Sequence, residues 1–303
     1  MPAISIAIVL LVGFILMGSA NSLQSSWTTL QQVNFSLFAL DVALFGLTFV
    51  AASLTYGFLA QKPLVYHQTL LVAVSSAFSG KLLPAGTGGV ATYYLYLRRK
   101  GHSVGQAGSV AAANNSIGAL AHAALIVIII LIRPQSFAGF TTPRVSGPLL
   151  GIVVAAAVLL GVLGIVFSSR LAGMASSAWG DLQRVLATYR SHPLRIAGAF
   201  GSSLCVTLVY ASCLQLALLA VGGSLSIFAT LAIFTLGAAA SGVAPTPGGV
   251  GAVEAGLVAG FVGYGISAPL ALAAAVIYRL VSFWIPFAVG SLAIIFARQK
   301  KLL

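Results

Sequence analysis

Charge is what this chain has least of. Lysine, arginine, aspartate and glutamate make up 6% of its 303 residues, and only 3 of these are acidic. A water-soluble domain carries about 25% charged residues, so a soluble globular fold is excluded. Cysteine is almost absent as well. Cys205 and Cys213 lie eight apart in one apolar run and read as small core residues, not as a metal pair. HExxH, CxxC and P-loop spacings are all missing, which removes the common metal and nucleotide sites, and no cofactor is expected. The net charge of +12 would suggest a nucleic-acid partner in a soluble protein. No basic run here carries the interleaved aromatics of single-strand binders, so no nucleic acid is expected and the basic residues should instead mark the inside of a membrane.

What is present is apolar, 59% of the chain with a mean hydropathy of +1.07. The expectation is an all-α polytopic membrane protein, one transmembrane domain over residues 1–303. Met1–Ala20 has a small-residue ending, Gly18-Ser19-Ala20, but lacks a basic start. It is kept as a first span (3–20) and not read as a cleaved signal. Further spans are expected at 37–60, 104–132, 148–167, 197–221 and 268–297. Leu171, Met174, Ala178, Leu182, Val185 and Tyr189 make one stripe, so 170–195 is expected to be an amphipathic helix in the interface.

Two stretches do not fit a plain span. In Ala244-Pro245-Thr246-Pro247-Gly248-Gly249-Val250-Gly251-Ala252-Val253-Glu254, two prolines and three glycines fall within seven residues, which no continuous helix accommodates. A broken backbone at membrane depth is tolerated only where protein or an aqueous cavity covers it. Residues 225–264 therefore read as a re-entrant hairpin, a half-helix in and a half-helix out. Tyr66–Leu97 reads likewise, with its break at Pro84-Ala85-Gly86-Thr87-Gly88-Gly89. The charges support this. With six full spans, two re-entrant helical hairpins and both termini cytoplasmic, Lys62, Arg98, Arg99, Lys100, Arg170, Arg184, Arg190, Arg195, Arg298, Lys300 and Lys301 fall inside. Only Arg133 and Arg144 fall outside. A full crossing at the first break would put Arg98–Lys100 outside.

The two breaks also resemble each other. Pro84-Ala85-Gly86-Thr87-Gly88-Gly89-Val90 parallels Pro245-Thr246-Pro247-Gly248-Gly249-Val250. Downstream, Gly101-His102-Ser103 and Gly265-Ile266-Ser267 open matching G-x-S-x-x-x-A strings, with Asn115 and Arg279 eight residues past their alanines. Hairpins entering from opposite sides make an inverted repeat, about 37–132 and about 197–297, the architecture of many transporters.

Each half-helix after a break starts at depth and points unpaired N–H groups at the centre. Those starts, Thr87, Gly88 and Gly89 and Pro247, Gly248 and Gly249, with Lys81, Arg279 and Asn115, favour an anionic group such as a lipid phosphate. Glu254 and Asp41 could hold a cationic head-group or carry a proton. The competing readings are a structural ion pair for Glu254 and Arg279, a solvated cap for Asp41 and a snorkelling cation for Lys81. His122 and His67 read as satisfied polar residues.

Pro-x-Pro-Gly-Gly-x-Gly-x-x-Glu, then Gly-x-Ser, then Tyr278-Arg279 and Phe283-Trp284-x-Pro286, resembles the transmembrane region of the lysylphosphatidylglycerol synthase/flippase family. The resemblance runs from the second span to the sixth. It implies phospholipid handling across the cytoplasmic membrane, with Glu254 and Arg279 matching charged family positions. The first break departs from the family: Gly88-Gly89 stands where Gly-Glu is frequent, and Asn114-Asn115 where Glu-Arg is. Fewer charges in that half-site count against a lysyl-lipid substrate. The soluble aminoacyl-transfer domain is not in this sequence, so lipid synthesis is not expected. The first reading is a flippase for a phospholipid or lipid-linked anion. The others are a secondary transporter of a small solute and, third, a membrane-embedded enzyme. A homodimer is left open. Single cysteines placed beside Arg99 and Arg190 should react only with reagent on the cytoplasmic side and one beside Arg144 only from outside. External labelling at Arg99 would rule out a re-entrant first break.

Overall fold

The computed structural model describes residues 28–83, 86–133, 136, 192–243 and 246–303, and no strand occurs among them. In chain order the helices are α1 (Phe35–Leu59), α2 (Tyr66–Leu82), α3 (Thr87–Arg99), α4 (Val104–Ile132), α5 (Pro193–Ala220), α6 (Ile227–Val243), α7 (Ala252–Gly263), α8 (Ala268–Arg279) and α9 (Ile285–Gln299). A 3-10 turn, Pro247–Gly249, precedes α7, and a π-helical turn, Leu280–Trp284, joins α8 to α9. Among the described residues four stretches are long and apolar enough to cross a membrane: α1, α4, α5 and the α8–α9 run Ala268–Gln299. They coincide with four of the expected spans, so the chain is an all-helical, multi-pass membrane protein. The expected spans at 3–20 and 148–167, most of the segment 170–195, and Pro84, Pro245, Arg144, Arg170, Arg184 and Arg190 lie outside the described residues. One boundary is corrected. α5 begins at Pro193, where a proline costs no hydrogen bond, so Arg195 belongs to α5 and not to an interfacial helix. Its guanidinium donates to the Ala60 carbonyl at 2.9 Å and ties the start of α5 to the end of α1.

α4 begins where the sequence places it because both sides of the junction are fixed. Gly101, at φ 81, ends α3, with Gly101 N–H donating to Arg98 O and His102 N–H to Leu97 O. Ser103 then starts α4: its Oγ accepts from Gln106 N–H while Gln106 Oε1 accepts from Ser103 N–H. α7 ends at Gly265, φ 87, with the same bonds, from Gly265 N–H to Val262 O and from Ile266 N–H to Phe261 O. Ala107 and Ala271, one turn into the following helices, are both fully buried. The shared G-x-S-x-x-x-A string is thus a helix stop, a linking residue, a restart and a buried alanine. α5 and α9 also end this way, at Gly222 and Lys301, so the ending is a common device of this chain and not peculiar to the repeat. Buried His102 completes the first junction. Its Nδ1–H donates to Leu97 O, and Nε2 accepts from Lys62 N–H. Burial holds the imidazole pKa below its ordinary value, in keeping with a neutral ring.

α2 and α3 form an antiparallel helical hairpin. Lys100 Nζ donates to Gln68 Oε1, the Thr69 and Tyr96 hydroxyls are 3.0 Å apart, and those of Ser79 and Thr92 are 2.6 Å apart. Its open end joins a core of Tyr56, Leu59, Tyr96, Leu97, Ala297 and Leu302, next to the ends of α1 and α9. α6 and α7 form the second hairpin, with Gly237 against Leu257 and Gly260 against Ile233. There the linker after α7 is tied to the far side of α4, since the Tyr264 hydroxyl donates to the Ser136 carbonyl. A larger core, including Leu214, Leu218, Leu257, Phe261 and Ile277, binds this hairpin to α5 and α8. α9 lies along α2, and α2 also touches the Pro247–Gly249 turn.

Two glycines allow the closest approaches around the first hairpin. A Cβ on Gly88 would lie 1.9 Å from Ser79 O, and one on Gly290 would lie 2.7 Å from Val74 O and 2.8 Å from Phe78 N. Both neighbours are backbone and cannot rotate away. Gly88→Ala and Gly290→Ala should each destabilise the detergent-solubilised protein by about 1–3 kcal/mol, read as a lowered midpoint of thermal unfolding. Gly105→Ala and Gly118→Ala, where a Cβ meets nothing within 4 Å, should leave it unchanged or raise it slightly.

Candidate functional site

The second break is held in a left-handed backbone. Gly248, Gly249 and Gly251 have φ of 59, 67 and 88, values that a side chain disfavours. A Cβ on Gly248 would also lie 2.2 Å from Phe283 Cε2. Such a break strands the first N–H groups of α7. Glu254, in the first turn of α7, bends back to meet them: its Oε2 accepts from Gly251 N–H at 2.7 Å. Its other oxygen, Oε1, accepts from Arg279 Nε at 2.7 Å, and an Arg279 Nη donates to Gly248 O at 3.2 Å. One carboxylate and one guanidinium therefore stitch the turn to α8. The pair is mostly buried, with side chains 9% exposed for Arg279 and 26% for Glu254.

Phe283, one turn beyond Arg279 in the π-helical turn, lies between two cations. The Arg279 guanidinium carbon is 4.3 Å from its ring centroid and Lys81 Nζ is 5.5 Å away. Lys81 occupies the last turn of α2, at the tip of the first hairpin. No anionic partner to Lys81 occurs among the described residues. In the second break, Thr246 is buried and its hydroxyl has no hydrogen-bond partner among the described residues, and α3 begins at Thr87 with no side chain capping it. Two basic side chains, Arg279 buried and Lys81 half-buried, meet one carboxylate around this ring, so basic groups outnumber acidic ones there.

Of the residues expected in a site, Glu254, Arg279, Lys81, Gly248 and Gly249 come together here, and Pro247 lies in the turn itself. Gly88 and Gly89 pack on the α2 backbone at Ser79 and Gly80, while Thr87 opens α3 on an exposed face. Asn115 lies on an exposed face of α4, outside this group. Asp41 is elsewhere too, fully buried beside Cys213 of α5. It is not the cap of α1, since Asn34 fills that role by accepting from Leu37 N–H at 3.1 Å. Lys81 does not snorkel away; it turns to Phe283. Glu254 is engaged by its own chain and not open to a cationic head-group. His122 is satisfied, 3.2 Å from Thr235 O. Phe283 and Thr246 were not singled out from the sequence as site residues, although Phe283 stands four positions after Arg279, the spacing that puts both on one helix face.

A cavity of about 370 Å³ lies between the first hairpin and α9, lined by Ser79, Leu82, Leu83, Gly88, Ala91, Thr92, Leu95, Ile294, Arg298 and Leu303. Its walls are leucine and isoleucine, with exposed Leu82, Leu83 and Leu95 among them. Its polar members are Ser79, Thr92 and Arg298. It takes in the first break at Gly88 but none of the second, so the two breaks do not line this cavity together.

Set against known families, residues 3–290 match the lysylphosphatidylglycerol synthase TM region. The chain belongs to that family. No curated protein matches it. Membership ties this all-helical membrane protein to a lipid-related role, and the Pro-x-Pro-Gly-Gly break, Glu254 and Arg279 all fall inside the matched residues.

Glu254→Gln keeps the shape but leaves Arg279 without its counter-charge. It should cost about 3–5 kcal/mol, toward the lower end because Glu254 is partly exposed. Glu254→Gln/Arg279→Gln should recover most of that loss. Measured as thermal midpoints in detergent, additive losses in the double variant would contradict the pairing.

Proposed function

We propose that this protein translocates a phospholipid or lipid-linked anion across the membrane, handling its phosphate where the two helix breaks meet. The observation that carries this reading is the excess of basic groups around Phe283, where buried Arg279 and half-buried Lys81 share one ring. Buried charge demands a partner, and a phosphate is the anion that a bilayer supplies at high local concentration. The apolar cavity along α2, α3 and α9 supports it by offering acyl chains a route toward the first break, with Arg298 among its lining.

Both hairpins, on this reading, re-enter the membrane from opposite faces as halves of an inverted repeat. Arms of 17 and 13 residues, and of 17 and 12, rise only about 18–26 Å, short of the roughly 30 Å hydrocarbon core. The open end of the first lies with the ends of α1 and α9, near Lys62 and Arg298. The second is tied at Tyr264 to Ser136, past the far end of α4. Family membership supports the lipid as cargo.

Lys81→Gln removes the unpaired cation and breaks no ion pair. In proteoliposomes carrying head-group-labelled phospholipid, it should slow translocation about ten-fold or more, equivalent to about 1.4 kcal/mol in the barrier, with an unchanged thermal midpoint. Gly249→Leu should block translocation too. It also strains a left-handed residue, so its result counts only where the protein remains folded. A Lys81→Gln rate equal to wild type would overturn the phosphate site.

A further inference from the structure

Asp41 is a carboxylate that the fold buries and does not answer. It lies in the second turn of α1, fully inaccessible, and neither side-chain oxygen has a hydrogen-bond partner among the described residues. Across from it on α5, the Cys213 thiol contacts its main-chain carbonyl at 3.8 Å. A thiol is a weak donor and carries no charge to offset a carboxylate. One turn along α1, Phe45 meets Tyr210 of α5 edge to face at 5.1 Å, and around them are Leu214, Ala217 and Leu218. The titratable groups that reach this corner are Cys213 and Tyr210 from α5 and Tyr278 from α8. Among the described residues no cation pairs with Asp41, since Arg279 is engaged by Glu254. α2 and α4, which also pack on α1, present no charged group to it.

An unpaired carboxylate removed from water costs several kcal/mol, and the ordinary resolution is to take up a proton. The position has a further property. Tyr210 stands three residues before Cys213 on α5, and Tyr278 directly precedes Arg279 on α8. Tyr278 is buried in the same hydrophobic core that Tyr210 packs against, so the acid and Arg279 border one core. We propose that Asp41 is the proton-binding site of this transporter, occupied in the conformation described and emptied in the course of the cycle, so that proton movement drives lipid movement. Driving lipid movement rests on the translocation reading, whereas proton occupancy does not. The chemistry is an O–H bond formed at one Asp41 oxygen from solvent on one side and broken to solvent on the other, with no other reactant.

Asn matches the shape of a protonated aspartate, so Asp41→Asn should fold with an unchanged thermal midpoint. Infrared spectra of the protein in lipid at neutral pH should show a protonated-carboxyl C=O stretch that Asp41→Asn removes. In proteoliposomes, an imposed pH gradient should accelerate labelled phospholipid movement by wild type at least several-fold. Asp41→Asn, which can neither take up nor release a proton, should lose that acceleration. A missing protonated-carboxyl band would overturn the proton site. A band present with a gradient that leaves wild-type rates unchanged would overturn its role in driving transport. If wild type moves no phospholipid at all, translocation fails, and proton occupancy is still decided by the infrared band.

Discussion

A helix broken in hydrocarbon leaves donors that only the protein or its ligand can answer, and the two breaks in this chain are answered differently. At the second, Glu254 turns back on Gly251 and holds Arg279, so the half-helix start is closed by the chain itself. At the first, Gly86 leads into α3 with no capping side chain, and Lys81, in the last turn of α2, has no anionic partner among the described residues. The asymmetry leaves the second break closed by its own chain and the first without a side-chain cap. The cavity reaches Gly88 of the first break and none of the second, which fits this division. It also gives the Glu254–Arg279 pair a double task. The pair holds the turn together and, through the guanidinium face, presents Arg279 to the ring it shares with Lys81.

Much of the fold was legible because its punctuation is chemical. Gly101 and Ser103 set the start of α4 to the residue, and the Pro/Gly clusters marked both breaks. The near absence of charge made Arg98 and Arg298 stand out in the last turns of their helices. Glu254, Arg279 and Lys81 were found because ionised groups in apolar runs are costly and therefore few. Hydropathy cannot tell which way a residue faces within an apolar helix, and that limit explains the misses. Asp41 reads equally as a ligand or proton carrier and as a solvated cap near a span end; α1 begins at Phe35 and its first turns pack against α5, so the carboxylate is inside and not a cap. Asn115 matched Arg279 in spacing but lies on an exposed face. Phe283 is one phenylalanine among 17, and its role depends on a π-helical turn that no period in the sequence announces. Thr246 is singled out only by having nothing to bond.

The basic end of the bundle shows how short connections hold the arrangement. Arg195 donates to the last residue after α1, Lys62 reaches Gly101, and Arg98 reaches the His102 carbonyl. These bonds are short and electrostatic, and those of Arg195 and Lys62 join elements far apart in sequence. They place the ends of α1 and α3 and the starts of α4 and α5 in one plane. The apolar interiors need then agree only on rotation and depth.

The π-helical turn divides one span into two halves with different partners. α8 packs on α7 and α5, whereas α9 packs on α2. An extra residue in a helical turn sets the downstream helix about 100° out of phase with an unbroken α-helix. A single membrane span thereby works like a crankshaft, one throw bearing on each hairpin, with Phe283 at the offset and Pro286 just past it removing a donor that would resist the twist. One covalent piece thus packs on both hairpins, α8 against α7 and α9 against α2. The two hairpins are geared together by covalent chain as well as by surface contact.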